Sequence, residues 1–282
     1  MRFDHLVRPG ESGRRAGKLA AEVFMLSGQD LALIKRHDVL WVDGQPFRQI
    51  DRVQEGQTIS VLLSDPPAPK KALPFVLYED SYLRVIDKPH GLATMASSNP
   101  DGRSLQKLYT GAYGEFRPVN RLDKGTGGLM VCGTTAYTQH ALAAQLHTDR
   151  FIREYLAVVD GTIHAETGMI DLPIARKSQT GNIRCISPEG QPSLTHYRTL
   201  ETRNDHSLIR LRLITGRTHQ IRVHLMSIGH PVAGDYLYGK ALQEFPDSFA
   251  LHSAYLFLRH PWTGESLFFR SEMPPCYMEL IR

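Results

Sequence analysis

Long hydrophobic runs are missing from this chain. No stretch of its 282 residues approaches the ~18–20 apolar residues that a membrane-spanning helix needs. Cysteine is scarce as well. Cys132, Cys185 and Cys276 stand far apart with no paired motif, which argues against a zinc site or a disulfide framework and fits a reducing cytosol. The opening Met1-Arg2-Phe3-Asp4-His5 carries no apolar segment of the signal-peptide kind, so a cytoplasmic protein is expected. Charge of one sign is also limited: the net value is +4, too mild a surplus to indicate a nucleic-acid partner alone. Local clusters carry more weight. Arg14-Arg15, Lys35-Arg36, Lys70-Lys71, Arg117/Arg121/Lys124, Arg150/Arg153 and Arg176-Lys177 could track a phosphate backbone if several share one face.

The length suits one large domain or two smaller ones. Ser64-Asp65-Pro66-Pro67-Ala68-Pro69-Lys70-Lys71 marks the boundary, because clustered prolines favour an extended, semi-rigid spacer. This divides the chain into residues 1–63, a linker over 64–73, and a second domain over 74–282. Residues 1–16 read as poorly ordered or edge-like. A helix is expected over 18–26, where Leu19, Val23 and Leu26 share a face, with Ser27-Gly28 breaking it. Asp30 can cap a short second helix reaching Ile34 and Arg36. A strand over 39–42 then meets Asp43-Gly44, a hairpin signal, and Ile59, Val61 and Leu63 alternate in a last strand.

Beyond the linker, strands are expected over 75–80, 82–89, 151–159, 207–214, 250–258 and 266–269. Ile209, Leu211 and Leu213 alternate with Arg210 and Arg212 in the clearest of them. Ser104 caps a helix over 105–109, and Thr134 or Thr135 caps another containing Ala141, Leu142, Gln145 and Leu146. Ile221, Leu225 and Ile228 mark one apolar face of a helix closed by Gly229 and Pro231. Many strands with few helices imply an α+β fold: a largely antiparallel mixed sheet flanked by helices, plus a small N-terminal α/β domain.

The chain is organised around Asn120-Arg121-Leu122-Asp123-Lys124-Gly125-Thr126-Gly127-Gly128-Leu129. Three glycines permit unusual backbone angles and close approach of another segment. Asp123 thus sits in a loop at the lip of the apolar segment 129–132, where ligands commonly bind. Two further runs stand out downstream: Arg153-Glu154-Tyr155-Leu156-Ala157, and Thr215-Gly216-Arg217-Thr218-His219-Gln220-Ile221-Arg222-Val223-His224-Leu225. On its strand, Tyr155 faces the same way as Arg153 and Ala157.

Together these runs, with Tyr78-Glu79-Asp80 and Lys88-Pro89 before them, resemble the RluA-type family of pseudouridine synthases over roughly residues 74–275. Two positions depart from the family pattern: Asn120 stands where it has His, and Gly127 where it has Ser. The resemblance implies an isomerase that breaks the C1′–N1 bond of a uridine in structured RNA, turns the uracil and rejoins it through C5. That balance needs no redox agent, metal or nucleotide cofactor. By the same resemblance Asp123 is the catalytic carboxylate, attacking C6 or C1′ or acting at C2′. Arg222 keeps it ionised, and Tyr155 packs against the uracil and helps remove the C5 proton. Arg121 fills the gap left by the flipped nucleotide. Lys124, Thr126 and Arg217, in the same runs, complete the expected substrate-binding set. Residues 1–63 resemble a degenerate αL RNA-binding module, in which Leu26-Ser27-Gly28-Gln29 replaces the usual start of the second helix. That module favours ribosomal over transfer RNA as partner; a monomer is compatible with it, although the sequence does not set the oligomeric state.

Other chemistries fit less well. The glycines after Asp123 lead into a strand, not the Lys-Ser/Thr helix start of a phosphate loop. His219 and His224 are five apart, about 140° around a helix, and cannot form an i,i+4 zinc pair. Cys132 and Cys185 look like strand fillers. A non-enzymatic RNA-binding or ribosome assembly factor that keeps the fold is the alternative function, motivated by Asn120 and Gly127.

Overall fold

The computed structural model describes residues 2–26, 32, 34, 40–62, 73–96, 103–178 and 181–282. The proline-rich linker up to residue 72, the Asp30 cap of the second N-terminal helix, and the Lys35-Arg36 and Lys70-Lys71 clusters lie outside the described residues; Ile34 of that helix is helical and buried.

The small N-terminal domain is built on four strands: β1 (Arg2–Leu6), β2 (Leu40–Val42), β3 (Gln45–Pro46) and β4 (Thr58–Leu62), in the order β1-β4-β2-β3. The first residues, expected as poorly ordered or edge-like, form the edge strand. Phe3 and Val61 turn inward there and bury against Leu19, Ala20 and Leu40. The helix beside them runs over Ala16–Val23, two residues earlier than the apolar spacing suggested, and the chain leaves it through Met25 at φ 52°. Asp43 and Gly44, at φ 50° and 78°, turn the β2–β3 hairpin, as a primed two-residue turn requires.

The second sheet has nine strands: β5 (Val76–Glu79), β6 (Leu83–Lys88), β7 (Gly127–Gly133), β8 (Phe151–Asp160), β9 (Thr167–Asp171), β12 (Leu194–Arg203), β13 (His206–Leu213), β14 (Leu251–Arg259) and β15 (Ser266–Arg270), while β10 (Ile174–Arg176) and β11 (Arg184–Ile186) form a separate hairpin. Pairing runs β5-β6-β7-β14-β8-β13-β12-β9, with β15 also on β14, and β7–β14 is the parallel contact among otherwise antiparallel ones. The expected largely antiparallel α+β architecture is therefore what forms. Helices over Leu105–Tyr113 and Ala136–Ala143 are capped by the Ser104 and Thr135 hydroxyls; Gln145 and Leu146 fall just past the second.

One register decides the geometry of the site. Ser253 of β14 stands opposite Gly128 of β7 on one side and Tyr155 of β8 on the other. A Cβ at Gly128 would lie 2.3 Å from the Ser253 carbonyl oxygen, and its φ is 99°, so only glycine lets the two strands meet. The Ser253 hydroxyl donates to the Leu129 carbonyl at 3.0 Å, tying the loop's exit to the strand beside Tyr155.

The two sheets pack through aromatic rings. Phe3 sits with its centroid 4.7 Å from Tyr137 and 4.6 Å from Trp262, and Trp262 stacks on Tyr82 at 5.6 Å. Edge and offset contacts of this kind add roughly 0.5–1.5 kcal/mol each beyond the area they bury.

Candidate active site

Asp123, Tyr155 and Arg222 come from a loop, a strand and a helix separated by tens of residues, and they line one cavity of about 80 Å³. Arg222 is the hub. It projects from the Gln220–Ser227 helix and, far from being a surface residue of an amphipathic helix, is 2 % exposed. Its Nη1 donates to Asp123 Oδ2 at 3.0 Å. Its Nε and Nη2 donate to the two oxygens of Asp235 at 2.6 and 2.7 Å. The guanidinium also lies over the Phe249 ring at 4.3 Å. Burial disfavours its charge, but the two carboxylates outweigh this and hold its pKa above the usual arginine value.

Asp235 was not evident from sequence. It is fully buried and accepts from the backbone amides of Leu237 and Tyr238. The only signal was the Gly234-Asp235-Tyr236-Leu237-Tyr238-Gly239 run, in which the Asp reads locally as a turn former. Gln220 was also missed. Its side chain accepts from Thr215 and from the Arg217 amide and donates to Leu194 and Thr195, anchoring the helix start. His219 is not on the helix: it is the residue before it, at φ 58°. Its Nδ1 pairs with the Tyr238 hydroxyl at 2.8 Å, and its Nε2 lies 3.7 Å from Asp123 Oδ2. Burial lowers the His219 pKa, against the pull of Asp123. His224 bonds Thr195 and the Leu172 carbonyl, so both histidines serve hydrogen bonding. Ile228, expected on the buried face, is 36 % exposed because the helix ends at Ser227.

Three side chains from one short segment hold the loop that carries Asp123. Thr94 donates to the Leu122 carbonyl at 2.6 Å, the Lys88 ammonium faces the Lys124 carbonyl at 3.4 Å, and His90 Nδ1 meets the Gly125 carbonyl at 2.8 Å. Lys88 is 1 % exposed; burial pulls its pKa down to about 7, while Asp123 opposes the shift. His90 also fills the space a side chain at 127 would need, since a Cβ there would lie 2.1 Å from His90 Cδ2. Gly127 is thus a steric necessity of this chain. Likewise Gly125 abuts the Phe249 ring, 2.4 Å from where a Cβ would stand. Asn120 accepts from the Val131 amide at 3.0 Å and so stitches the loop entry to β7.

Behind His90 runs a line of hydrogen bonds: His90 Nε2 to His252 Nδ1 at 3.1 Å, His252 Nε2 to the Ser271 hydroxyl at 2.8 Å, and Ser271 to Asp87 at 2.8 Å. Ser271 donates its hydroxyl to Asp87, whose pKa burial raises above the usual carboxylate value against the lowering effect of that bond. Burial lowers His90 to about 4 and His252 to about 3, so both rings are neutral near pH 7.

Tyr155 is 4 % exposed. Burial raises its pKa, against the lowering effect of Arg153 and of the Ser253 hydroxyl. Thr126 is buried in the cavity wall, its amide closing the turn onto the Asp123 carbonyl at 3.1 Å. Arg121 and Arg217 are exposed at the lip, and Arg217 Nε donates to the Pro192 carbonyl at 3.2 Å. Lys124 turns outward to an exposed ion pair with Asp247 at 2.7 Å.

The cavity opens onto a groove of about 620 Å³ whose wall includes Arg121, Lys124, Arg153, Arg176, Arg184 and Arg217, with Asp123 at its floor. Several of the expected basic clusters therefore do converge. Others do not: Arg14 pairs with Glu22, and Arg117 with Glu115. Among the described residues no group of histidine, cysteine and carboxylate side chains is arranged to hold a metal, and no helix is long and apolar enough to cross a membrane.

A sequence profile of the RNA pseudouridylate synthase family matches residues 82–227. The chain is 39% identical over 234 residues to a protein of Yersinia pestis named ribosomal large subunit pseudouridine synthase D, covering 76% of this chain and 71% of that one. It is 32% identical to a protein of the same name from Haemophilus influenzae, over 98% of this chain and 92% of the other. Among solved structures, human RNA pseudouridylate synthase domain containing 1 superposes with a TM-score of 0.59 at 26% identity, over 73% of this chain and 85% of that one.

Proposed function

The chain belongs to the RNA pseudouridylate synthase family and is an RNA pseudouridine synthase, and on that premise we propose that it isomerises a uridine of large-subunit ribosomal RNA in the cytoplasm, with Asp123 as the catalytic carboxylate. The observation that carries the residue roles is the meeting of Asp123, Tyr155 and Arg222 in one cavity, with Arg222 bonded to Asp123 at 3.0 Å. The choice of RNA rests on the names of the relatives, which specify the ribosomal large subunit.

In this reading the target nucleotide leaves the groove and places its uracil in the cavity. Unstacking costs a few kcal/mol, and Arg121, exposed at the lip, takes the vacated position in the RNA. Asp123 then acts at C6, C1′ or C2′, its charge sustained by Arg222. Arg222 itself is fixed by Asp235, so the carboxylate keeps its partner while the base detaches. Tyr155 offers a ring against which the freed uracil turns. Tyr155, in the same cavity wall as Asp123, helps remove the C5 proton. Arg217 and Lys124 contact the RNA backbone, and Lys124 exchanges Asp247 for phosphate on binding. Thr126 shapes the cavity wall. Residues 1–63, joined through 64–73 to a catalytic domain over 74–282, add RNA contacts as an αL-type module. The three convergent groups favour turnover over a non-enzymatic assembly factor.

Mapping pseudouridines in large-subunit RNA from cells with and without this protein is the direct test. At least one site should disappear with the protein and return with the wild-type chain but not with Asp123→Asn. An unchanged map, or tritium release from 5-tritiated uridine RNA by Asp123→Asn, would contradict the proposal.

A further inference from the structure

Arg153 is a charged side chain with nothing to neutralise it. It lies on β8 two residues before Tyr155 and is 8 % exposed. Among the described residues no carboxylate comes within ion-pair distance of it, and its shielded Nε has no hydrogen-bond partner. The Phe151 ring lies 5.8 Å from its guanidinium carbon, and even a Cβ at Gly216 would lie 3.5 Å from both terminal nitrogens. Arg222, the other buried arginine of the cavity, has two anions, Asp123 and Asp235. An arginine cannot shed its proton to escape burial, so Arg153 carries a desolvation cost that no ion pair offsets.

The location says what offsets it. Arg153 lines both the small cavity beside Asp123 and Tyr155 and the wide groove outside it. A nucleotide that sends its base into the cavity must draw its own backbone past this side chain. Until its glycosidic bond breaks, the uracil offers only neutral acceptors, whereas the backbone offers a permanent anion shaped for a guanidinium. Exposed Arg121 and Arg217 exchange a full shell of water for phosphate with little net gain, whereas Arg153, only 8 % exposed, has little hydration to give up. We propose that Arg153 is the buried receptor for one of the two phosphates flanking the reacting uridine. It binds that phosphate only when the nucleotide is flipped, so its contact energy favours the extruded over the stacked state. The assignment rests on the pseudouridine synthase reading above.

The test uses an RNA stem-loop containing the mapped uridine, with single uncharged methylphosphonate linkages placed one phosphate at a time. For the wild-type protein, neutralising one flanking phosphate should weaken binding by about tenfold to a hundredfold, the range of a charge-assisted hydrogen bond. Arg153→Met should bind unmodified RNA that much more weakly and lose nothing further at that linkage. Arg153→Lys should stay sensitive to it. Because Met removes an unpaired buried charge, the Met variant should melt no lower than the wild type. Equal, additive losses in the Met variant and the wild type would overturn the assignment. So would a wild-type protein indifferent to both flanking linkages, a result that needs no variant to fold. Failure of the underlying reading looks different: the wild-type protein would then form no pseudouridine in the unmodified stem-loop.

Discussion

Two carboxylates share the Arg222 guanidinium, and neutralising each in turn should have opposite consequences. Asp235 is fully buried and takes two short bonds at 2.6 and 2.7 Å. Asp123 takes one at 3.0 Å, and its side chain is 27% exposed. Asp235→Asn strips the buried cation of its main partner, and breaking such a pair costs about 3–5 kcal/mol. With a urea slope of about 3 kcal/mol/M, the unfolding midpoint should fall by about 1–1.7 M. Asp123→Asn keeps an acceptor oxygen in place and leaves Asp235 untouched, so its cost should be about 1 kcal/mol or less. Turnover should rank differently: Asp123→Asn abolishes it, whereas Asp235→Asn leaves a folded fraction that turns over slowly through a loosened Arg222. Urea titrations followed by circular dichroism, paired with tritium-release rates at a temperature where both variants are folded, measure the two rankings. Equal destabilisation by the two substitutions would refute the view that Asp235 carries the structural load and Asp123 the chemical one.

Gly127→Ser should destabilise the fold by about 1–3 kcal/mol through overpacking, because its Cβ would lie 2.1 Å from His90; combining it with His90→Ala should recover most of the loss, and additive losses in urea titrations would show that the two positions do not compete for space. Acid should weaken the fold through His90 and His252. Their folded pKa values, about 4 and 3, lie below the unfolded value near 6.5. The unfolded chain therefore binds more protons in that window, and stability falls as pH drops from about 6.5 towards 4. His90 alone accounts for up to about 3 kcal/mol, less whatever solvent reaches its ring. His90→Asn should flatten that limb of a stability–pH curve, and an unchanged slope would remove His90 from the account.

The fold class and the three central residues were legible because each lies in a contiguous run with strong local signals. β8 and β13 alternate cleanly, and Ser104 and Thr135 announce their helices. What was not legible is contact between distant segments. Asp235 looks like a turn residue until the chain folds it beneath Arg222. The helix carrying Arg222 was read as having one apolar face, but residues 220–225 are all buried, so its charged member goes inside. His90 had no motif at all; its importance comes from the volume left by Gly127 and the carbonyl of Gly125. Lys124 has a partner that no local run announces: Asp247, 2.7 Å away, is remote in sequence. The N-terminal stretch reads as edge-like, but not as a paired strand, because its pairing partner, β4, lies more than fifty residues on.

Ser253 stands between Gly128 and Tyr155 in the register of β14, so a slip of that strand by one residue would displace the acidic loop and the aromatic wall together. The reacting groups are consequently mounted as one casting rather than as independently adjustable parts. Changes in which RNA is accepted should then accumulate in the groove rim, around the β10–β11 hairpin, while the β7–β14–β8 seam tolerates almost none.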